Sequence, residues 1–451
     1  MDDFNKILKR IKDNDPDLKS FKLICSEVGN RFQELANALK TNKYVESIGL
    51  FSGEDEDNRN KISKAFADVI KKNTPLKTLD LLHCKIKDEG VKYLADALEV
   101  NTNLIKFNFS GNIITEQGAK YLADAIRVNA SLESLNLVDN KIEKEGAKEL
   151  AGALGVNTSL KFFSIANNDI GNEGAKYFSD SLKSNLCLEY LELSNIGIEK
   201  IATQNFLDLI TNNRIQGLNL SCNGIGDQEV QVLANELSSN TALLHFKLLN
   251  IGIGDEGAGA LANALKTNTA LQSLNLSRNQ IGNQGVKDLA ELLEVNANIT
   301  DLNLKYNQIG NDGAEALAEA LLVNTNLTNL NLGRNKIGEI GAKALEKALS
   351  EKNRTLTKLD FDHNYHASTR VACSISSLAL RNKELEIPIK ITKKIYQSYI
   401  QKQEKQGQDQ ITPPDPMLDP IEKRLIATSP SACEVILALL LEKIVNLILI
   451  I

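Results

Sequence analysis

The strongest constraint on this chain is that it repeats itself every 28 residues. The stretches "NLSRNQIGNQGVKDL" (Asn275 to Leu289), "NLKYNQIGNDGAEAL" (Asn303 to Leu317) and "NLGRNKIGEIGAKAL" (Asn331 to Leu345) start 28 residues apart. Following the first leucine of an L-x-x-L-x-L motif gives anchors at Leu76, Leu104, Leu132, Leu160, Leu188, Ile215, Leu243, Leu271, Ile299, Leu327 and Leu356. One step is 27 (188 to 215) and one is 29 (327 to 356). Two looser units precede them, at Leu18 and Val45, the second with an acidic insert, Glu54-Asp55-Glu56-Asp57. Units this short cannot bury an apolar face alone, so stacking of neighbours must supply the core.

Each part of the unit has a physical task. The L-x-L segment has period 2 and reads as a short strand with both leucines pointing inward. An asparagine eight residues after the anchor (Asn112, Asn140, Asn168, Asn223, Asn279, Asn307, Asn335, Asn364) falls where the chain turns, and its amide can satisfy backbone groups of its own and neighbouring units. The G-A-x-x-L-A-x-A-L segment has helical i, i+3, i+4 spacing, and its alanines allow close approach to the strand. A closing asparagine ends the helix. Two units depart from the pattern. Ile196 and Ile251 take the turn-asparagine position, each within "NIGI", so the turn is expected to be rerouted by Asn195 and Asn250 one residue earlier. The unit between them has Glu229 in place of the helix-start glycine, which makes 188–257 a place for a change of curvature.

These units, in register over residues 18–366, resemble the leucine-rich repeat family, specifically its long-repeat, ribonuclease-inhibitor-like class. The resemblance implies an α/β solenoid, a horseshoe with a parallel β-sheet on the concave face and α-helices on the convex face. Thirteen strands at about 4.8 Å give an inner sheet about 60 Å along the arc. It also implies protein ligands without naming one.

Little else in the chain suggests chemistry. Gly333 and Gly338, four residues apart and followed by Gly341 and Lys343, invite comparison with a phosphate-binding loop. Gly338 and Gly341 recur as Gly310 and Gly313 and as Gly282 and Gly285, however, so they belong to the turn and helix start of every unit. "DFDHNYH" (Asp360 to His366) offers two carboxylates and H-x-x-H, but in the repeat register these side chains point in different directions, which argues against a metal site. With no G-x-S-x-G, H-E-x-x-H or Cys/His dyad, the expectation is a non-enzymatic protein without cofactor or metal. The net charge of −6 gives no case for nucleic acid. Six scattered cysteines without a CxxC pair, and an N-terminal stretch with no apolar h-region, point to reduced thiols and a cytoplasmic protein.

Residues two, four, six and seven after the anchor project from the inner face. Position four is repeatedly asparagine and therefore scaffold-like, whereas positions two, six and seven vary. Toward the N-terminal end they supply an apolar zone: Phe51, Leu82, His83, Val138, Phe162 and Tyr190. Toward the C-terminal end they supply a basic–aromatic zone: Arg278, Lys305, Tyr306 and Arg334, with His363 beyond. Aromatic and arginine side chains concentrate binding energy at interfaces, so these are the candidate partner-binding residues.

The organisation expected is an N-terminal capping helix (1–17), the solenoid (18–366), a C-terminal cap and basic helix (367–406), a Pro-rich linker (407–430) and an apolar C-terminal helix (431–451). In Val435–Ile451, thirteen of seventeen residues are Leu, Ile or Val, with Glu442 and Lys443 near the middle. The apolar residues favour insertion by about 4–8 kcal/mol and the two charges oppose it by about 5–7 kcal/mol, a near balance. The segment is therefore read as docking on the solenoid or self-associating, with membrane contact as the alternative.

The expected function is a non-enzymatic interaction scaffold that binds a protein partner on the concave face. Two alternatives stay open. GTPase activators for Ran share the repeat type but carry an acidic C-terminal tail, where this one is Pro-rich and apolar. An effector of an intracellular microbe, acting in a host cell, would combine such repeats with the residue usage of an AT-rich genome, seen here as abundant Asn, Lys and Ile and no tryptophan. The sensor part of a nucleotide-dependent immune receptor is disfavoured, because no nucleotide-binding domain accompanies the repeats.

Overall fold

The computed structural model describes residues 3–51, 59–72, 75–198, 204–211, 214–364, 367–368 and 370–383. The acidic insert Glu54–Asp57, His366 and the basic helix, linker and apolar tail beyond residue 383 lie outside the described residues. Thirteen strands, from Ser20–Ile24 to Lys358–Asp360, form one parallel sheet whose spatial order is the chain order. A helix follows each strand up to Asn329–Asn331, and a further helical stretch at 370–383 follows the last. The result is an open solenoid with the sheet on the concave face and the helices on the convex face.

The period-2 pattern explains the sheet. Leu274, Leu302 and Leu330 are register partners and point into the core, while Asn275, Asn303 and Asn331 on the opposite side are half-buried on the inner face. Each of these asparagines accepts the backbone N–H two residues on (Ser277, Lys305 and Gly333, at 3.0–3.1 Å), which tightens the exit of the strand.

Three ladders of polar side chains, two of them largely buried and the third half-buried, tie unit to unit. In the first, Asn335 donates to the carbonyls of Leu332 in its own unit and Leu304 in the preceding one, both at 3.0 Å, and accepts from Ile309 N–H. In the second, the closing Asn296 does more than end a helix. It is buried, donates to Leu265 and Asn268 carbonyls of the preceding unit, and accepts from Asn298 and Ile299 N–H. Asn382 in the 370–383 helix extends this ladder onto Asn353 and Leu356 carbonyls. In the third, the first residue of one helix accepts N–H groups from the start of the next, as Asn311 does from Gly338 (2.8 Å) and Gly341 (3.1 Å).

This third ladder corrects the expected role of the glycines. Gly282, Gly310 and Gly338 have φ near −100°, so they do not turn the chain through the left-handed region. At Gly341 the requirement is close approach: a Cβ there would lie 2.8 Å from the Ala314 Cβ and 3.1 Å from the Asn311 Cα.

The turns of the two departing units resolve differently from expectation. Asn195 and Asn250 do not take over the turn; they are exposed and sit at the left-handed position that the units from Leu76 onward have seven residues after their anchors. Ile196 and Ile251 are buried in the place of the asparagine. The missing helix-start glycine is compensated by Glu229, whose carboxylate accepts the Gly226 N–H at 2.9 Å. Strand pairing runs through these units without interruption.

Candidate functional site

The inner face carries rows of side chains from residues two, four, six and seven of each unit. In the two-position row, four consecutive units supply Phe162, Tyr190, Gly217 and His245, which are register partners across adjacent strands. Tyr190 and His245 are two units apart, yet their rings stack with centroids 6.2 Å apart. Gly217 makes this contact accessible, because a side chain there would collide with the Tyr190 ring. The depression around them has a volume of about 390 Å³, walled by Phe162, Tyr190, Gly217 and His245 and floored by Glu192, Asn219 and Lys247. Lys247 reaches back over Asn219 to Glu192 (3.7 Å). The unit that starts at Ile215 is thus clasped from both sides, by a stacked pair and by an ion pair.

The C-terminal zone has a different geometry. Seven residues after these anchors the backbone is left-handed: Arg278, Tyr306 and Arg334 have φ of 57°, 58° and 56°. These three side chains stand on consecutive units as a column. The Arg278 guanidinium lies 4.7 Å from the Tyr306 ring centroid and that of Arg334 lies 4.9 Å from it, with Tyr306 between them in chain order. Lys305 does not add a free cation to this zone. Its ammonium pairs with Asp360 at 3.1 Å, two units away, passing over Gly333. Burial pushes the Asp360 carboxyl up, but the Asp362 N–H and the Lys305 ammonium more than offset this and hold it below the usual carboxylate range. Gly333, which drew attention as a possible phosphate-loop residue, has this local task instead.

The six apolar N-terminal candidates do not form one continuous surface. Phe162 and Tyr190 belong to the central depression. Phe51 and Leu82 are register partners at the far ends of the second and third strands, where the Lys22 ammonium lies 5.7 Å from the Phe51 ring centroid. His83, in the left-handed conformation, is exposed over Gly111. Val138 is half-buried in the six-position row, apart from both groups. Gly217, His245, Glu192 and Lys247 were not among the candidates. The signal was available in the two-position column, where F, Y, G and H follow one another in successive units.

Among the described residues no cluster of His, Cys, Asp or Glu is arranged to hold a metal ion, and no helix is long and apolar enough to cross a membrane. Cys84 stands at a turn-asparagine position, buried, with its thiol 3.6 Å from that of Cys25 and 3.5 Å from the Leu82 carbonyl. The hydrogen bond to Cys25, together with burial, pushes the Cys84 thiol well up.

An unclosed parallel sheet, lined outside by one helix per strand and locked by asparagine ladders, defines a repeat solenoid. The chain carries leucine-rich repeats: the Leucine Rich repeat family model matches residues 72–95, 128–151, 156–179, 211–234, 267–290, 295–318 and 323–345. No curated protein matches the sequence significantly. Solved structures similar to it include actin-binding site 2 of leiomodin-1, 23% identical, covering 45% of this chain and 95% of that one with a TM-score of 0.29. An internalin from Listeria monocytogenes is 18% identical over 82% of this chain and 86% of its own, with a TM-score of 0.42. Rad7, from its yeast complex with Elc1, is 16% identical over 76% and 89%, with a TM-score of 0.44.

Proposed function

We propose that the protein is a non-enzymatic interaction scaffold that holds a protein partner on its concave sheet, centred on the Phe162–Tyr190–His245 platform. One observation carries this reading: half-buried aromatic rings from units two apart meet across a glycine over a depression of about 390 Å³. Aromatic groups of this kind contribute disproportionately at interfaces, because they bury much area for little lost side-chain freedom. The polar floor supplies hydrogen-bonding groups around an apolar centre, as interfaces of this type require. A cytoplasmic location fits the same reading, since the five described cysteines are free thiols.

The test is capture of binding proteins by the immobilised full chain, read by mass spectrometry. A partner held through the platform is retained by the wild type and by the convex-face control Ile340→Ser, and lost by Tyr190→Ser/His245→Ser. Equal retention by all three proteins would end the concave-face reading.

A further inference from the structure

We infer that the Arg278–Tyr306–Arg334 column recognises an acidic segment of a protein partner, one presenting two carboxylates about 9–10 Å apart, twice the spacing of neighbouring strands. The inference rests on the scaffold reading above and gives one part of its surface a ligand chemistry.

Three observations support it. The first is conformational: a left-handed backbone disfavours every residue with a Cβ, least so asparagine and aspartate. Units at 111, 139, 167, 195 and 250 comply with glycine, aspartate or asparagine, whereas three consecutive units place arginine, tyrosine and arginine there. The second is order. Each guanidinium lies against the same ring, so contact with Tyr306 favours this placement of the two positive groups before any ligand arrives. The third is charge. Among the described residues neither Arg278 nor Arg334 forms an ion pair. The nearby carboxylate of Asp360 is committed to Lys305. That of Asp362, one unit beyond, pairs with neither arginine.

The donor edges of a stacked guanidinium remain free to bind carboxylate in a two-point fashion. Two such forks separated by an aromatic ring suit carboxylates seven residues apart on a helix, which rises about 10.5 Å over that interval. Carboxylates four apart, about 6 Å, cannot reach both. Nucleic acid is the less favoured ligand, because the neighbouring rows are asparagine-rich and neutral and the chain as a whole carries a net charge of −6.

The experiment uses the full chain and fluorescein-labelled, alanine-rich helical peptides carrying two glutamates seven apart, two glutamates four apart, or two glutamines seven apart. Fluorescence anisotropy is expected to show saturable binding of the first, about ten-fold weaker binding of the second and none of the third. Arg278→Gln and Arg334→Gln should each weaken the first by about ten-fold, with melting curves unchanged. Tyr306→Phe should retain binding and Tyr306→Ser should lose it with both charges still present. Tyr190→Ser/His245→Ser should leave it intact, so this site and the central platform are judged separately. Equal binding of glutamate and glutamine peptides, insensitivity to both arginine substitutions, or equal binding of the two glutamate spacings would overturn the proposal. So would a single-stranded oligonucleotide that binds more tightly than the peptide and is lost with the same arginines.

Discussion

At the lip of the sheet the backbone adopts a left-handed conformation, and at six described positions it carries a residue that resists it: His83, Cys222, Arg278, Tyr306, Arg334 and His363. The conformation costs such residues about 1–2 kcal/mol, and glycine escapes this at the expense of roughly 0.5–1 kcal/mol of unfolded-chain entropy. Cys222→Gly, which disturbs no stack, is therefore expected to raise the unfolding free energy by about 0.5–1 kcal/mol in denaturant titration. A second residue-scale effect concerns Asp360. Its carboxyl is held below the ordinary range, so its contribution is present at neutral pH and lost as pH falls through its native value. Lys305→Met removes one of the groups that hold it there. The stability difference between wild type and Lys305→Met should thus shrink as pH is lowered from about 6 to about 2. A gap that stays constant would mean the pair contributes through packing alone.

At the scale of the element, the helix-start glycines and ladder asparagines hold neighbouring units at their observed distance. Gly341→Ala improves helix propensity yet drives a methyl into Ala314 and Asn311, so it should destabilise by about 1–3 kcal/mol. Asn307→Ala leaves the Leu276 and Leu304 carbonyls and the Ile281 N–H without this partner, at a cost of about 1–3 kcal/mol. Hydrogen exchange should show the loss concentrated between residues 276 and 310. These elements were legible in the sequence because a strict period reports register, strand and helix together. Contacts between units were less so. The glycines looked like turn residues, since a close approach between helices leaves the same one-letter trace as a positive φ. Asn195 and Asn250 looked like displaced ladder residues because asparagine serves both the left-handed corner and the buried rung. The Tyr190–His245 stack and the neutralisation of Lys305 were hidden for a related reason: each depends on a partner two units away and a glycine between them.

At the scale of the molecule, two surfaces of different character share one sheet, an aromatic platform near its middle and a guanidinium column toward its C-terminal end. Their responses to salt should differ. Raising salt from 50 to about 500 mM shortens the screening length from about 14 to about 4 Å, so acidic-peptide binding at the column should weaken steeply while capture through the platform changes little. The asparagine ladders join each unit only to its immediate neighbour, whereas a few contacts skip one: Cys25 with Cys84, Tyr190 with His245, Glu192 with Lys247, and Lys305 with Asp360. A chain of this kind gains or loses copies of its unit most readily where only neighbour bonds must be remade. Insertion of one extra 28-residue copy between Leu104 and Leu160 breaks none of the skipping contacts, whereas a copy inserted at 215 parts Tyr190 from His245 and Glu192 from Lys247. The clasp across Gly217 therefore acts as a ruler, fixing the copy number of the solenoid at the place where its inner surface is most differentiated.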